Sequence, residues 1–206
     1  MTDAYIFDFG QVLVHFDERK MTADYIADAR DVDLCQPVIF DRLYWDRLDA
    51  GAISDEEVRA GIRSRLPQRL HEAACLVYDR WFRDLSPIAG MPEILRDLKA
   101  QGKKLYLLSN ISARFAADWQ TVPNLRELLS SFDGLVFSAP LHMVKPHPEI
   151  FLYLLDRYRL RAEACTFVDD REKNIAAARQ LGMDGYLFDG SAERLRAFLF
   201  RAESTL

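Results

Sequence analysis

Apolar residues along this chain come in short runs that deliver a polar side chain at their end. Residues 4–9 are the first, a buried strand-like segment that carries Asp8 to a turn at Gly10. From about Arg19 to Trp81 the rhythm changes: apolar positions recur at helical spacing, Gly and Pro are sparse, and no strand pattern emerges. Asp49-Ala50-Gly51 breaks that stretch. Ser54-Asp55-Glu56-Glu57 then offers an N-cap serine with a glutamate three residues on, a capping box that opens the next helix. Pro87 to Pro92 predicts a turn, and Ile94, Leu95 and Leu98 mark the buried face of a helix that Gly102 closes.

Beyond Gly102 the alternation becomes regular. Strands are expected at Leu105–Leu108, Gly134–Phe137, Thr166–Val168 and Tyr186–Phe188, with helices over Pro148–Tyr158 and Ile175–Leu181 and a polar, helix-containing segment after the first of these strands. Strands separated by helices imply right-handed crossovers, hence a parallel sheet covered on both faces. The expected fold is therefore α/β, a Rossmann-like doubly wound parallel sheet built from residues 1–14 and 88–206, with residues 15–87 inserted as a small helical cap domain. In such folds ligands gather at the carboxyl ends of the strands, near a reversal of strand order. Asp8, Ser109 and the pair Asp169-Asp170 follow strands directly, and Lys145 lies in the loop after another.

Composition narrows the class of partner. A net charge of -5 and a 50% hydrophobic content over 206 residues suit one domain with a full core and argue against a nucleic-acid surface. No apolar run approaches the roughly 20 residues that span a bilayer, and the N-terminus carries no basic-then-apolar leader, so a cytoplasmic protein is expected, as monomer or homodimer. Cys35, Cys75 and Cys165 are odd in number and lack metal-site spacing, which reads as buried reduced thiols.

The set Asp8-Phe9-Gly10-Gln11-Val12, Leu108-Ser109-Asn110, Lys145-Pro146 and Val168-Asp169-Asp170 followed by Asn174 resembles the four motifs of the haloacid dehalogenase-like hydrolase superfamily. Within it, the helical insertion and the Asp-x-Gly first motif resemble the branch of alpha-D-glucose-1-phosphate phosphatase, with the N-terminal phosphatase domain of soluble epoxide hydrolase as a related case. The resemblance implies Asp8 as a covalent nucleophile toward a small phosphorylated metabolite, with aspartyl-phosphate formation and then hydrolysis. It also implies Mg²⁺ held by Asp8, the Gly10 carbonyl and Asp170, with Asp169 and Asn174 behind the metal. Ser109, Asn110 and Lys145 would bind the phosphate.

The chemistry supports such a set. An anionic nucleophile approaching a phosphate dianion meets about 4 kcal/mol of repulsion per charge pair at roughly 4 Å and an effective dielectric near 20. A hard divalent cation and a lysine relieve it. Taken singly, each residue has a plain structural alternative: Asp8 capping a turn, Ser109 capping a helix, Lys145 solvated, Asp169-Asp170 a polar loop.

The sequence departs from many family phosphatases at Gly10, where a second aspartate protonates the leaving alcohol. Three explanations stand: a leaving group good enough to need no acid, as in a sugar-1-phosphate; a proton from His15 or Asp17; or a noncatalytic protein that binds phosphorylated ligands or a protein partner. Dehalogenase chemistry fits less well, because those enzymes carry a tyrosine at this position and use no metal. Arg42, Tyr44, Trp45 and Arg47 in the insertion, with Arg114 near the second motif, could contact substrate or could equally pack and solvate the insertion. His142 and His147 read as solvent-facing.

Overall fold

The computed structural model describes residues 2–83 and 85–200. Five parallel strands form one sheet: β1 (Ala4–Phe7), β2 (Lys104–Ser109), β3 (Gly134–Phe137), β4 (Cys165–Asp169) and β5 (Asp184–Leu187), in the order β3-β2-β1-β4-β5. The central strands have apolar residues at successive positions, so both faces are apolar and each must be covered. Tyr5, Phe7, Leu105, Leu107 and Val168 belong to one buried cluster, while Ala4, Ile6, Tyr106, Leu108 and Phe167 belong to another. Alternate positions along each strand part to opposite faces, as the two-residue period of a strand requires.

Helices cover both sides. α6 (Met91–Ala100) buries Met91, Ile94, Leu95 and Leu98, a single stripe at helical spacing, against the first face. α7 (Ala113–Asp118), α8 (Pro123–Leu129) and α11 (Ala192–Leu199) add Phe115, Leu125 and Leu195 to that cluster. α9 (Pro148–Tyr158) and α10 (Glu172–Gln180) close the second face through Ile150, Phe151, Leu154 and Ile175. The expected doubly wound parallel sheet is what the chain forms. The first strand is shorter than the expected 4–9, because the backbone turns at Asp8, and the fifth begins two residues earlier than expected, at Asp184. α11 has no counterpart in the sequence pattern, since only Leu195 and Leu199 of its residues are buried.

Between β1 and α6 lie five helices and, among the described residues, no strand: α1 (Glu18–Ala23), α2 (Ala29–Ile39), α3 (Arg42–Asp49), α4 (Asp55–Arg65) and α5 (His71–Arg80). The capping box forms, with Ser54 Oγ accepting from the Glu57 N–H and the Glu57 carboxylate accepting from the Ser54 N–H. The chain enters and leaves this region along two adjacent segments, joined by hydrogen bonds from the His15 N–H to the Ser86 carbonyl (2.9 Å) and from the Ile88 N–H to the Leu13 carbonyl (2.9 Å). The first hydrophobic cluster runs through Val12–Val14 into these helices, reaching Cys35, Trp45, Tyr78 and Trp81. Cys35, Cys75 and Cys165 are buried free thiols.

Candidate active site

The strand order reverses about β1, whose neighbours are β2 on one side and β4 on the other. That is where a crevice opens at the carboxyl edge. Asp8 is the first residue after β1, Ser109 ends β2 and Asp169 ends β4, so register alone brings three polar side chains together.

Lys145 is the keystone. Its side chain is 1% exposed, and Nζ donates to Asp169 Oδ2 at 2.7 Å and lies 2.8 Å from Asp8 Oδ1. Burial opposes the ammonium, but the two carboxylate charges and their hydrogen bonds outweigh it and hold its pKa above the ordinary value. Asn110 positions this lysine: its side-chain amide donates to the Lys145 carbonyl (2.9 Å) and accepts from the Lys145 N–H (2.8 Å). Asp8 also accepts from the Phe9 N–H at 2.7 Å. Burial pushes its carboxyl up to about 7, with Lys145 opposing and Asp169 adding to the rise.

The two adjacent aspartates differ in their surroundings. Both Asp169 oxygens are engaged by protein donors: Lys145, the Arg171 N–H (2.8 Å) and Asn174 Nδ2 (2.9 and 3.0 Å). Asp170 lines the open pocket, and its carboxyl is raised first by burial and then by the Asp169 charge, against Arg171 and Lys145. Oxygens of Asp8, Asp169 and Asp170 all lie within 4.8 Å of one another. Asn174 Oδ1 is buried beside them with no hydrogen-bond partner among the described residues. Three clustered carboxylates, two of them sharing one lysine, with an orphaned amide oxygen alongside, form an oxygen-rich donor set that fits a hard divalent cation.

Above this group is a cavity of about 120 Å³ whose lining includes Ser109, Asn110, Asp170 and Arg171 on the sheet side and Phe16, Trp45 and Trp81 on the helical side. Every residue expected to act as nucleophile, phosphate ligand or metal ligand lines it, with Asn174 beside them and Asp169 immediately behind; the two candidate proton donors, His15 and Asp17, do not.

The chain matches the haloacid dehalogenase-like hydrolase family over residues 2–182. It is a haloacid dehalogenase-like hydrolase. A sesquiterpene phosphatase of Aspergillus oryzae is 29% identical over 182 residues, covering 88% of this chain and 87% of that protein. A D-ribitol-5-phosphate phosphatase of Bacteroides thetaiotaomicron is 27% identical over 199 residues, covering 91% and 92%. Among solved structures, a family enzyme of Bacteroides thetaiotaomicron in complex with magnesium and inorganic phosphate superposes with a TM-score of 0.69 over 98% of this chain and 100% of that one, at 20% identity, which establishes the shared fold.

Other candidates of this hydrolase fall elsewhere. His15 and Asp17 line a separate small cleft with Lys20 and Asp24, and Asp17 caps α1 by accepting from the Lys20 N–H, so neither faces Asp8. The cause is the tight loop after Asp8: the Leu13 and Val14 N–H groups both return to the Phe9 carbonyl, and Val14 then bridges to Pro87. Arg114 ion-pairs with Asp79 (2.7 Å) and Asp55 (3.3 Å), tying α7 to the inserted helices away from the cavity. Tyr44 stacks beneath Arg65 and packs on Gly61, whereas Arg42 and Trp45 do line the cavity.

Sequence reasoning missed Asp49, which it read only as part of a helix break. Asp49 lines the cavity together with Arg42 and Trp45, at positions i, i+3 and i+7 of α3. A carboxylate on a stripe that also buries Trp45 and Leu48 was the available signal.

Proposed function

We propose that this hydrolase is a Mg²⁺-dependent phosphatase of small phosphate monoesters that works through an aspartyl-phosphate on Asp8. The observation that carries the reading is Lys145, fully buried and shared between Asp8 and Asp169 at the carboxyl edge of the central strands. A lysine there neutralises the nucleophile's surroundings and offers a point charge to phosphoryl oxygens. Ser109 supports it: buried at the end of β2, it lines the cavity, and its hydroxyl would donate to a phosphate bound there.

Asp8, the Gly10 carbonyl and Asp170 would hold the cation, which when bound would screen the charge between carboxylate and phosphate. The full engagement of Asp169 by Lys145, Arg171 and Asn174 supports assigning the ligand role to Asp170 and a positioning role to Asp169. Asp8 then attacks phosphorus in line, the ester oxygen departs on the far side, and water later cleaves the acyl phosphate. The inserted helices act as a cap whose Phe16, Trp45 and Trp81 rings and Arg42 meet the organic part of the substrate. The phosphatase relatives support phosphate over halide as the departing chemistry, as does Gly10 where dehalogenases carry tyrosine.

The test is phosphate release from a panel of monoesters with and without Mg²⁺. Activity should vanish on chelation and in Asp8→Asn, and a phosphoenzyme should be trapped from the unsubstituted protein alone. Undiminished turnover by Asp8→Asn would sink the assignment, and halide release from a 2-haloacid would move it to the dehalogenases.

A further inference from the structure

Gly10 leaves the reaction without the acid that protonates a departing alcohol, and the cavity has one further carboxylate, on α3. Among the described residues that line it, three carry carboxylates: Asp8, Asp170 and Asp49. The first attacks and the second serves the cation. The remaining polar groups are amides, a hydroxyl, two indole N–H groups, the guanidinium groups of Arg42 and Arg171, and the Lys145 ammonium, whose proton is held by Asp8 and Asp169 and whose pKa they raise; none of these exchanges protons readily near neutral pH. We infer that Asp49 is the general acid of the first step and the general base of the second, a reading that rests on the phosphatase assignment above.

Its placement favours this role. Asp49 is the last residue of α3 and only 8% exposed, yet no hydrogen bond or ion pair engages its carboxylate among the described residues. The backbone around it is held firmly against the sheet domain. The buried Ser138 hydroxyl, just beyond β3, donates to the Asp49 carbonyl at 2.6 Å and accepts from the Ile111 N–H at 2.8 Å, linking the loop after β2 to the end of α3. Two residues on, Gly51 has φ +68°, and a Cβ there would sit 2.4 Å from the Ala139 carbonyl oxygen and 2.8 Å from His142 Nδ1. The main chain thus fixes Asp49 at a wall of the same cavity that Asp8 lines, on the helical side across from the sheet edge.

The protonation state suits the task. Burial raises the Asp49 carboxyl to about 7; Asp46 on its own helix and Asp8 across the cavity add to the rise, while Arg42 and Arg171 oppose it, with His142 close by at Gly51. A carboxyl poised there is protonated often enough to donate and ionised often enough to accept.

The proton count closes. As Asp8 Oδ bonds to phosphorus and the P–O bond to the alcohol breaks, the Asp49 proton passes to the departing oxygen and leaves a carboxylate. In the second step that carboxylate takes a proton from the attacking water, whose oxygen bonds to phosphorus as the P–O bond to Asp8 breaks, and Asp49 is protonated again.

Asp49→Asn, isosteric and uncharged, tests this on the Mg²⁺-loaded protein with p-nitrophenyl phosphate and a hexose-6-phosphate. The loss should reach a hundredfold or more on the sugar ester, whose alkoxide needs a proton, and stay below tenfold for phosphoenzyme formation from the aryl ester; the pH profile for the sugar ester should lose its basic limb. Gly10 offers a rescue, because a Cβ built on it meets nothing within 4 Å. Gly10→Asp placed in the Asp49→Asn background should restore sugar-ester turnover at least tenfold. Equal losses on both esters, or no loss on either, would overturn the role of Asp49 while leaving a working phosphatase. No phosphate release by the unsubstituted protein would instead remove the parent reading, and this inference with it.

Discussion

Replacing Lys145 by methionine keeps the volume of the buried stem and deletes its charge. The ammonium lies 2.8 Å from one carboxylate and 2.7 Å from another. At an effective dielectric near 20, each such pair is worth about 6 kcal/mol of attraction, set against several kcal/mol of desolvation for each of three buried ions. Breaking a buried network from one side typically costs about 3–5 kcal/mol, a large part of the roughly 5–15 kcal/mol that stabilises an ordinary domain. Urea unfolding followed by tryptophan fluorescence should therefore show Lys145→Met less stable by about that amount at pH 8, with an unchanged m-value. The deficit should also depend on pH in a particular direction. With the ammonium present, Lys145 stays charged across the neutral range, because its folded pKa is raised and its stabilisation is lost only as pH climbs through that value. Without it, the Asp8 carboxyl, already pushed up to about 7 by burial, loses the charge that opposes the rise and climbs further above the unfolded reference near 3.9. Stability is then lost as pH rises through that window, so the variant should recover toward acid, and Mg²⁺ should restore part of the loss. A deficit under about 1 kcal/mol, or one that is the same at pH 5 and pH 8, would refute the electrostatic account of this site.

Two further outcomes follow from the end of α3. The Asp49 carboxyl is raised from 3.8 to about 7, so the folded state holds the proton more tightly and stability falls as pH rises between those values, by at most about 4 kcal/mol; Asp49→Asn should flatten the dependence of Tm on pH and be the more stable protein at pH 8, and a Tm profile that parallels the unsubstituted one would contradict this. Gly51→Ala should lower phosphate release more than tenfold by forcing residues 49–51 off Ala139 and His142, whereas Gly102→Ala, at φ +74° with nothing within 4 Å, should cost only the roughly 1–2 kcal/mol of left-handed strain and no activity; equal effects in the two variants would mean that the contact at Gly51 does not position the cavity wall.

What the sequence disclosed is what short-range pattern encodes. Short continuous apolar runs ending in Asp8, Ser109 and Asp169 reveal strands and their functional ends together, because a buried parallel strand has a single edge at which polar side chains are useful. The bonds from Asn110 to Lys145 span 35 residues and that from Ser138 to Asp49 spans 89, and no local periodicity encodes such pairings. Proximity in sequence misled in one place: His15 and Asp17 stand close to Asp8 along the chain, but the turn through Phe9–Val14 carries them to another cleft. Arg114 misled in another, since a cation beside a phosphate motif looks like a ligand until Asp55 and Asp79 are seen to occupy it.

Ser138 holds residue 49 by its carbonyl oxygen and leaves the side chain untouched. Location at this wall of the cavity is thus a main-chain property, available to any residue that occupies the position, while the reagent presented there is a separate choice. A protein built this way can exchange an acid for an amide, or a short arm for a longer one, without surrendering the joint that aims it. Divergence of substrate and chemistry at position 49 then costs one codon, and the Ser138 hydroxyl is the part that cannot be traded.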